Sequence, residues 1–313
     1  MFVLFDIPVH SLVVMLVVLA LLLLATAVQF LLRRRHPERD YQELYLRIRS
    51  WWWMIGILFA CLAFSKGSTI VLFGFISFLA LKEFFSIVPT RLSDRRVIFW
   101  AYAAIPVQYY WVYSGWYGMF TVFIPVYVFL FLPMLMVLSG NTRGFIQAAG
   151  IMHWAVMLTV FCLSHMAYLI ALPDLNPAAG SIGMVIFILF MTQLNDVSQY
   201  VFGKSLGRHK ILPAVSPKKT REGFLGGLCT VALAAMILAP LLTPLGPLHG
   251  LFAGLLIGSA GFIGDVVISS VKRDLQIKDS GQLIPGHGGI LDRFDSLIYT
   301  APLFFHYLHY FAY

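Results

Sequence analysis

The sequence predicts an all-α polytopic membrane protein of about ten transmembrane helices, range eight to ten, with a polar site at the cytoplasmic face. Three observations carry that prediction. Of the 313 residues, 60% are hydrophobic and only 12% charged, and the mean hydropathy is +0.84, outside the range of soluble domains. The apolar residues form runs long enough to cross a bilayer. Lysine and arginine concentrate in alternate connections, the pattern of the positive-inside rule.

In chain order the apolar runs place spans near residues 8–32, 50–64, 68–81, 97–113, 118–138, 145–172, 180–196, 223–241, 248–268 and 294–311. The first run has no basic segment before it and no small-residue cleavage site; Arg33, Arg34 and Arg35 follow it. A secretory signal carries its positive charge first, so this run reads as an uncleaved span with its N-terminus outside. The basic connections are Arg33–Arg49, Lys82–Arg96, Arg143, Lys204–Arg221 and Lys272–Arg293, while the opposite loops hold only Lys66 and Asp174 as charges. Both termini are therefore expected outside and the polar machinery in the cytoplasm. The loop charges fit a bacterial inner membrane.

Residues 1–180 read as an N-terminal transmembrane scaffold and 181–313 as a catalytic transmembrane region, because the dense polar motifs fall almost entirely in the second part. The net charge of +8 lies in short loops between spans. It serves orientation and contact with anionic lipid, and no nucleic-acid partner is expected. Cys61, Cys162 and Cys229 are isolated, with no metal-ligand spacing. Trp51, Trp52 and Trp53 read as an interfacial belt, His153 and His165 as hydrogen-bonded groups facing the bundle interior, and Lys82-Glu83 as a neutralised pair, with a role near the polar site as the alternative.

Three polar elements stand out. In the first, Gly203 and Gly207 share a helical face and admit a close neighbour. Downstream, Ser216 is placed to cap a helix starting at Pro217, with Lys218 and Lys219 in its first turn. Cations are disfavoured there unless an anion binds. In the second, Asp265, Ser269 and Lys272 lie at i, i+4 and i+7 near the end of an apolar helix. A carboxylate in a span costs about 2.5–3.5 kcal/mol at the bilayer centre, which makes it a functional candidate. A structural pair between Asp265 and Lys272 or Arg273 is the plainer alternative. In the third, Pro285, Gly286, His287, Gly288 and Gly289 form a tight turn whose amides suit an anion nest. Asp292 and Asp295 follow on one face of the last helix. With Asp265 they make an oxygen-ligand set suited to Mg²⁺. Acidic ligands, cations and a glycine turn together point to phosphoryl or nucleotidyl transfer on a lipid.

The run Ser269-x-Val271-Lys272-Arg273, Lys278-Asp279, Gly281, Ile284-Pro285, His287-Gly288-Gly289 and Asp292-Arg293-Phe294-Asp295 resembles the signature of phosphatidate cytidylyltransferases (CDP-diacylglycerol synthases). Tyr200-x-x-Gly203-x-x-x-Gly207 and Ser216-Pro217-Lys218-Lys219-Thr220-x-x-Gly223 resemble a second block of that family. The resemblance implies transfer of a cytidylyl group from CTP to phosphatidate, giving CDP-diacylglycerol and pyrophosphate, with Mg²⁺, a monovalent cation such as K⁺, membrane lipids around the site and a homodimer. It implies that Asp265, Asp292, Asp295 and Asp279 hold metal. Ser216, Lys218, Lys219 and Thr220 would then meet substrate phosphate, and Lys272, Arg273, Lys278, His287 and Arg293 would line the nucleotide phosphates or support the acids. Two departures are visible. Gly264-Asp265-Val266-Val267-Ile268-Ser269 carries Ile268 where the family has a glutamate, and Asp196-Val197-Ser198-Gln199-Tyr200 replaces Asp-x-Gly-Ala-Tyr. Ile268 keeps open the alternative of a divergent, catalytically silent or regulatory lipid-binding homologue. A transporter would need an inverted repeat, which the chain lacks.

Overall fold

The computed structural model describes residues 7–38, 40–138 and 140–313. The first six residues of the chain, Arg39 of the first basic connection and Ser139 lie outside the described residues. Ten helical rods succeed one another: α1 Val9–Arg35, α2 Gln42–Phe64, α3 Lys66–Ile87, α4 Arg95–Ser114, α5 Tyr117–Val137, α6 Phe145–Ala171, α7 Gly180–Ser205, α8 Arg221–Leu242, α9 Pro247–Asp274 and α10 Leu291–Ala312. No β-strand occurs among the described residues, only two isolated bridges, Lys210 with Thr220 and Ile284 with Gly288. This is the all-α polytopic class, and the chain is an integral membrane protein. Eight of the rods are long and apolar enough to cross a bilayer. The other two are α4 and α10, and α10 opens with Asp292, Arg293 and Asp295.

The rods run antiparallel between two ends. At one end His10 N–H donates to Ala178 O at 2.8 Å, Asn176 donates to Thr243 O at 3.0 Å, and the Tyr313 hydroxyl donates to Pro173 O at 2.8 Å. The start of α1 and the C-terminus therefore share an end. The basic connections gather at the other, where Arg91 holds Asp94 at 2.7 Å and donates to Arg143 O. α5 and α6 each contain one wider turn, Phe123–Val128 and Met157–Cys162. Pro125 lies in the first of these and has no N–H to donate. Within α6, His165 is fully buried and hydrogen-bonds Phe161 O at 2.8 Å, the interior position expected of it.

Small residues bring the last four rods close. A Cβ at Gly254 would meet Ala232 Cα at 2.7 Å, and one at Gly250 would meet Ala235 O at 2.6 Å, so α9 lies backbone to backbone against α8. Gly261 and Gly264 do the same toward α7 and α10, where a Cβ would overlap Asn195 and the Asp295 carbonyl respectively. Between membrane helices, close van der Waals packing of this kind replaces the hydrophobic effect as the driving force. It also carries the polar ends of α7, α9 and α10 into one place.

Candidate functional site

Lys219, Asp265, Asp196 and Asp295 come together from three rods and one loop. The Lys219 ammonium lies 2.5 Å from Asp265 Oδ2 and donates to Gln199 Oε1 at 3.2 Å. Ser269 Oγ donates to Asp265 Oδ1 at 3.2 Å, as the i, i+4 spacing predicts. Ser296 Oγ reaches Gly261 O at 3.2 Å and Asp196 at 3.3–3.4 Å, joining α10 to α9 and α7. Asp196, Asp265 and Asp295 lie near enough to act on one another electrostatically. Asp196 is assigned no role from the sequence; its signal is its place at the aspartate of the family's Asp-x-Gly-Ala-Tyr.

Lys219 reaches the acids because the connection before α8 is folded differently from the expectation. No helix starts at Pro217. Lys219 N–H donates to Ser216 O at 3.1 Å in a turn, and α8 begins at Arg221 with Thr220 as its cap, the Thr220 hydroxyl accepting from Gly223 N at 3.2 Å. The reason is local. Residues 209–211 pair with 219–221, Ile211 N to Lys219 O and Arg221 N to His209 O, so the chain is extended up to Thr220. The neighbour admitted by Gly203 and Gly207 is Thr220 itself, whose Oγ1 lies 3.3 Å from a Cβ built at Gly203. Ser216 is half-buried and Lys218 exposed beside this turn.

Asp292 belongs to a second group. Its Oδ1 faces Lys272 Nζ at 2.8 Å, and its Oδ2 accepts from Ser280 N at 2.8 Å and Gly289 N at 3.0 Å. The glycine turn is built as the sequence indicates, with φ of +75° at Gly286 and +80° at Gly288, values that cost other residues strain. Yet its Gly289 amide is directed at Asp292, so the protein's own carboxylate takes that corner of the nest. The plainer pairing of Asp265 with Lys272 or Arg273 does not occur: Asp265 takes Lys219, Lys272 takes Asp292, and Arg273 Nε donates to Val215 O at 3.2 Å.

Glu83, from α3, takes the second of its two expected places, beside the polar site. Its carboxylate does not form the expected pair with Lys82, whose side chain is exposed. It accepts from Ile290 N at 2.8 Å, from Leu291 N at 3.0 Å and from Ser280 Oγ. From α2, Ser50 Oγ donates to Pro285 O at 2.7 Å, and Trp51 meets the His287 ring edge-on at 5.9 Å. Trp51 thus has a partner in the site loop.

His287 Nδ1 and Arg293 Nε are buried without a hydrogen-bond partner among the described residues. Burial first, then the charges of Arg293 and Arg47, push the His287 imidazole below its ordinary value, so it is neutral near pH 7. Lys278 and Asp279 are exposed on the loop after α9, and the structure does not bring Asp279 to the other acids by any hydrogen bond or ion pair among the described residues.

No three His, Cys, Asp or Glu side chains among the described residues converge closely enough to form a ready metal cage. The donor chemistry nevertheless fits a hard divalent cation: carboxylate oxygens from three rods, with an ammonium already supplying compensating charge to Asp265.

The chain matches the model of the cytidylyltransferase family over residues 45–311. It is 45% identical over 294 residues to an Escherichia coli (strain K12) protein called YnbB and described as uncharacterized, covering 94% of this chain and 97% of that one. It is 32% identical over 263 residues to a phosphatidate cytidylyltransferase of Staphylococcus haemolyticus, covering 82% and 97%. A phosphatidate cytidylyltransferase of Staphylococcus aureus (strain COL) is 37% identical over 173 residues, covering 53% of this chain and 61% of the other.

Proposed function

The chain belongs to the cytidylyltransferase family and is a nucleotidyltransferase, and on that premise we propose that it transfers the cytidylyl group of CTP to phosphatidate, giving CDP-diacylglycerol and pyrophosphate. The observation that carries this reading is the meeting of Lys219 with Asp265 beside Asp196 and Asp295, next to the first turn of α10, where Arg293 Nε is buried without a partner among the described residues.

A phosphate oxygen of the lipid attacks the α-phosphorus of CTP. That P–O bond forms as the bond from the α-phosphorus to the bridging oxygen breaks, and pyrophosphate leaves with the electron pair. The nucleophile needs no strong base, because a phosphate monoester with a second pKa near 6 is already largely dianionic at neutral pH. Catalysis is then positioning and charge stabilisation. Lys219, with Ser216, Lys218 and Thr220 around it, receives the lipid phosphate. Arg293, Lys272 and Lys278 bear on the nucleotide phosphates, and Arg273 anchors the loop before α8. Neutral His287 donates or accepts a hydrogen bond without adding charge. Asp265, Asp295 and Asp196 would hold Mg²⁺, which when bound neutralises phosphate charge; a monovalent cation such as K⁺ is a second candidate there. Asp292 supports the loop, and Asp279, exposed on that loop, would be a further carboxylate open to the cation. Gly288 and Gly289 keep the turn close to the substrate. The polar end faces the cytoplasm of a bacterial inner membrane, where CTP is found, and a homodimer is the expected assembly.

The test is pyrophosphate release by detergent-purified protein supplied with Mg²⁺, CTP and phosphatidate. Release that requires both substrates and vanishes in Asp265→Asn supports the assignment. The alternative, a catalytically silent or regulatory lipid-binding homologue, is favoured by Ile268, which is 3% exposed and packed in the core. Well-folded protein that releases no pyrophosphate would select it.

A further inference from the structure

We propose that Glu83 is a positioning residue for nucleotidyl transfer, setting the geometry of the loop between α9 and α10 from the opposite part of the chain; this rests on the reaction proposed above. Glu83 stands in the last turn of α3 and is 9% exposed. A buried carboxylate is costly unless its oxygens are satisfied. Here they are: Oε2 takes Ile290 N, and Oε1 takes Leu291 N and the Ser280 hydroxyl.

Those two amides open α10, a helix with no side-chain cap of its own. The first N–H groups of a helix lack intrahelical partners and carry the positive end of its dipole. Glu83 satisfies both demands from another rod. The fit leaves no spare room. A Cβ at Gly281 would come within 2.9 Å of Glu83 Oε2, and one at Gly289 would collide with the same carboxylate. The two glycines form the slot that admits it.

Ser280 links this cap to the second carboxylate. Its hydroxyl goes to Glu83, and its amide goes to Asp292, which also holds Lys272 and Gly289 N. The segment 280–291 is thus clamped between two acids, one from each half of the chain. Arg293 and Asp295 follow one and three residues after Asp292, so the first turn of α10 cannot shift without moving them. Glu83 touches none of the proposed reacting groups and acts through this clamp.

Glu83→Gln keeps the shape but turns an amide toward N–H donors. In this variant kcat is expected to fall on the order of 10²-fold, the scale of an ångström-sized misplacement, with KM for CTP within about twofold of the parent, since ground-state binding is spared. Amide hydrogen exchange at Gly289, Ile290 and Leu291 in the same variant is expected to quicken, and that readout does not depend on which reaction is catalysed. Faster exchange without any cytidylyl transfer by the parent would leave the clamp standing and sink the proposed reaction. Parent-like exchange, or a parent-like kcat, would overturn the positioning role. Should Glu83→Gln fail to assemble, Ser280→Ala tests the same link while leaving the helix cap in place. A fall in kcat at constant KM supports it, and an unchanged kcat overturns it.

Discussion

Lys219 Nζ meets Asp265 Oδ2 at 2.5 Å, joining the connection before α8 to the polar end of α9. Both side chains are about a fifth to a quarter exposed, so the pair is shielded from full solvent screening yet open to ligands. An ammonium beside clustered carboxylates lowers their mutual repulsion in the ligand-free protein. A substrate phosphate arriving there would find the lysine already placed.

Lys219→Met is expected to lower kcat/KM for phosphatidate by roughly 10²–10³-fold, the range seen when one preorganised charge-stabilising donor is removed. Initial rates of pyrophosphate release against lipid concentration would measure it. A loss confined to KM for CTP would place Lys219 on the nucleotide instead.

Asp292→Asn should act mainly on stability. The Lys272–Asp292 pair is largely buried, with side-chain exposures of 13% and 4%. Breaking such a pair from one side costs about 3–5 kcal/mol, because the remaining charge is left uncompensated. Thermal unfolding in detergent should move to clearly lower temperature, and Lys272→Met added to Asp292→Asn should recover part of the loss.

Thr220→Ala removes the only side-chain cap of α8, and the cost should be about 1 kcal/mol. Thr220→Ser keeps the hydroxyl that accepts from Gly223 and should behave like the parent. Comparing the two variants by thermal unfolding separates the cap from the packing of the threonine methyl beneath Gly207.

Gly264→Ala would drive α9 away from α10, since the new methyl meets the backbone at Asp295 and Ser296. Overpacking at a helix contact costs about 1–3 kcal/mol. Activity should fall more than stability suggests, because the same shift moves Asp265 relative to Asp295. An alanine variant with parent-like activity would show that the two acids need not be held this closely.

Chelation supplies a further check. Adding EDTA should abolish pyrophosphate release, and Mg²⁺ should restore it, because the acids of α7, α9 and α10 offer hard oxygen donors. Activity that survives thorough chelation would remove the metal from the reading and leave Lys219, Lys272 and Arg293 to carry the phosphate charge.

Much of this was legible in the order of residues. Ten apolar runs became ten rods, and the basic connections did gather at one end, because hydrophobicity and charge act locally and need no knowledge of neighbours. The i, i+4 relation of Asp265 and Ser269 was readable for the same reason: helical spacing is a property of the chain itself. Ser216 misled because Ser-Pro is a strong local capping signal, and it lost to the pairing of residues 209–211 with 219–221, a contact that spacing within the turn does not reveal.

What composition and periodicity decided, then, was the class of molecule, its rods and the end at which its basic connections gather. Folding alone decided the partners. Glu83 and Ser280 lie 197 positions apart, and nothing near Glu83 announces that its carboxylate will cap α10. Asp265 had lysines close in sequence and took Lys219 from another segment, while Lys272 turned to Asp292. Hydrophobic patterning is one-dimensional information, summed residue by residue along a helix. The pairing of buried charges depends on which helix ends meet, and the glycine contacts of α9 with α7, α8 and α10 settle that only when the bundle is packed.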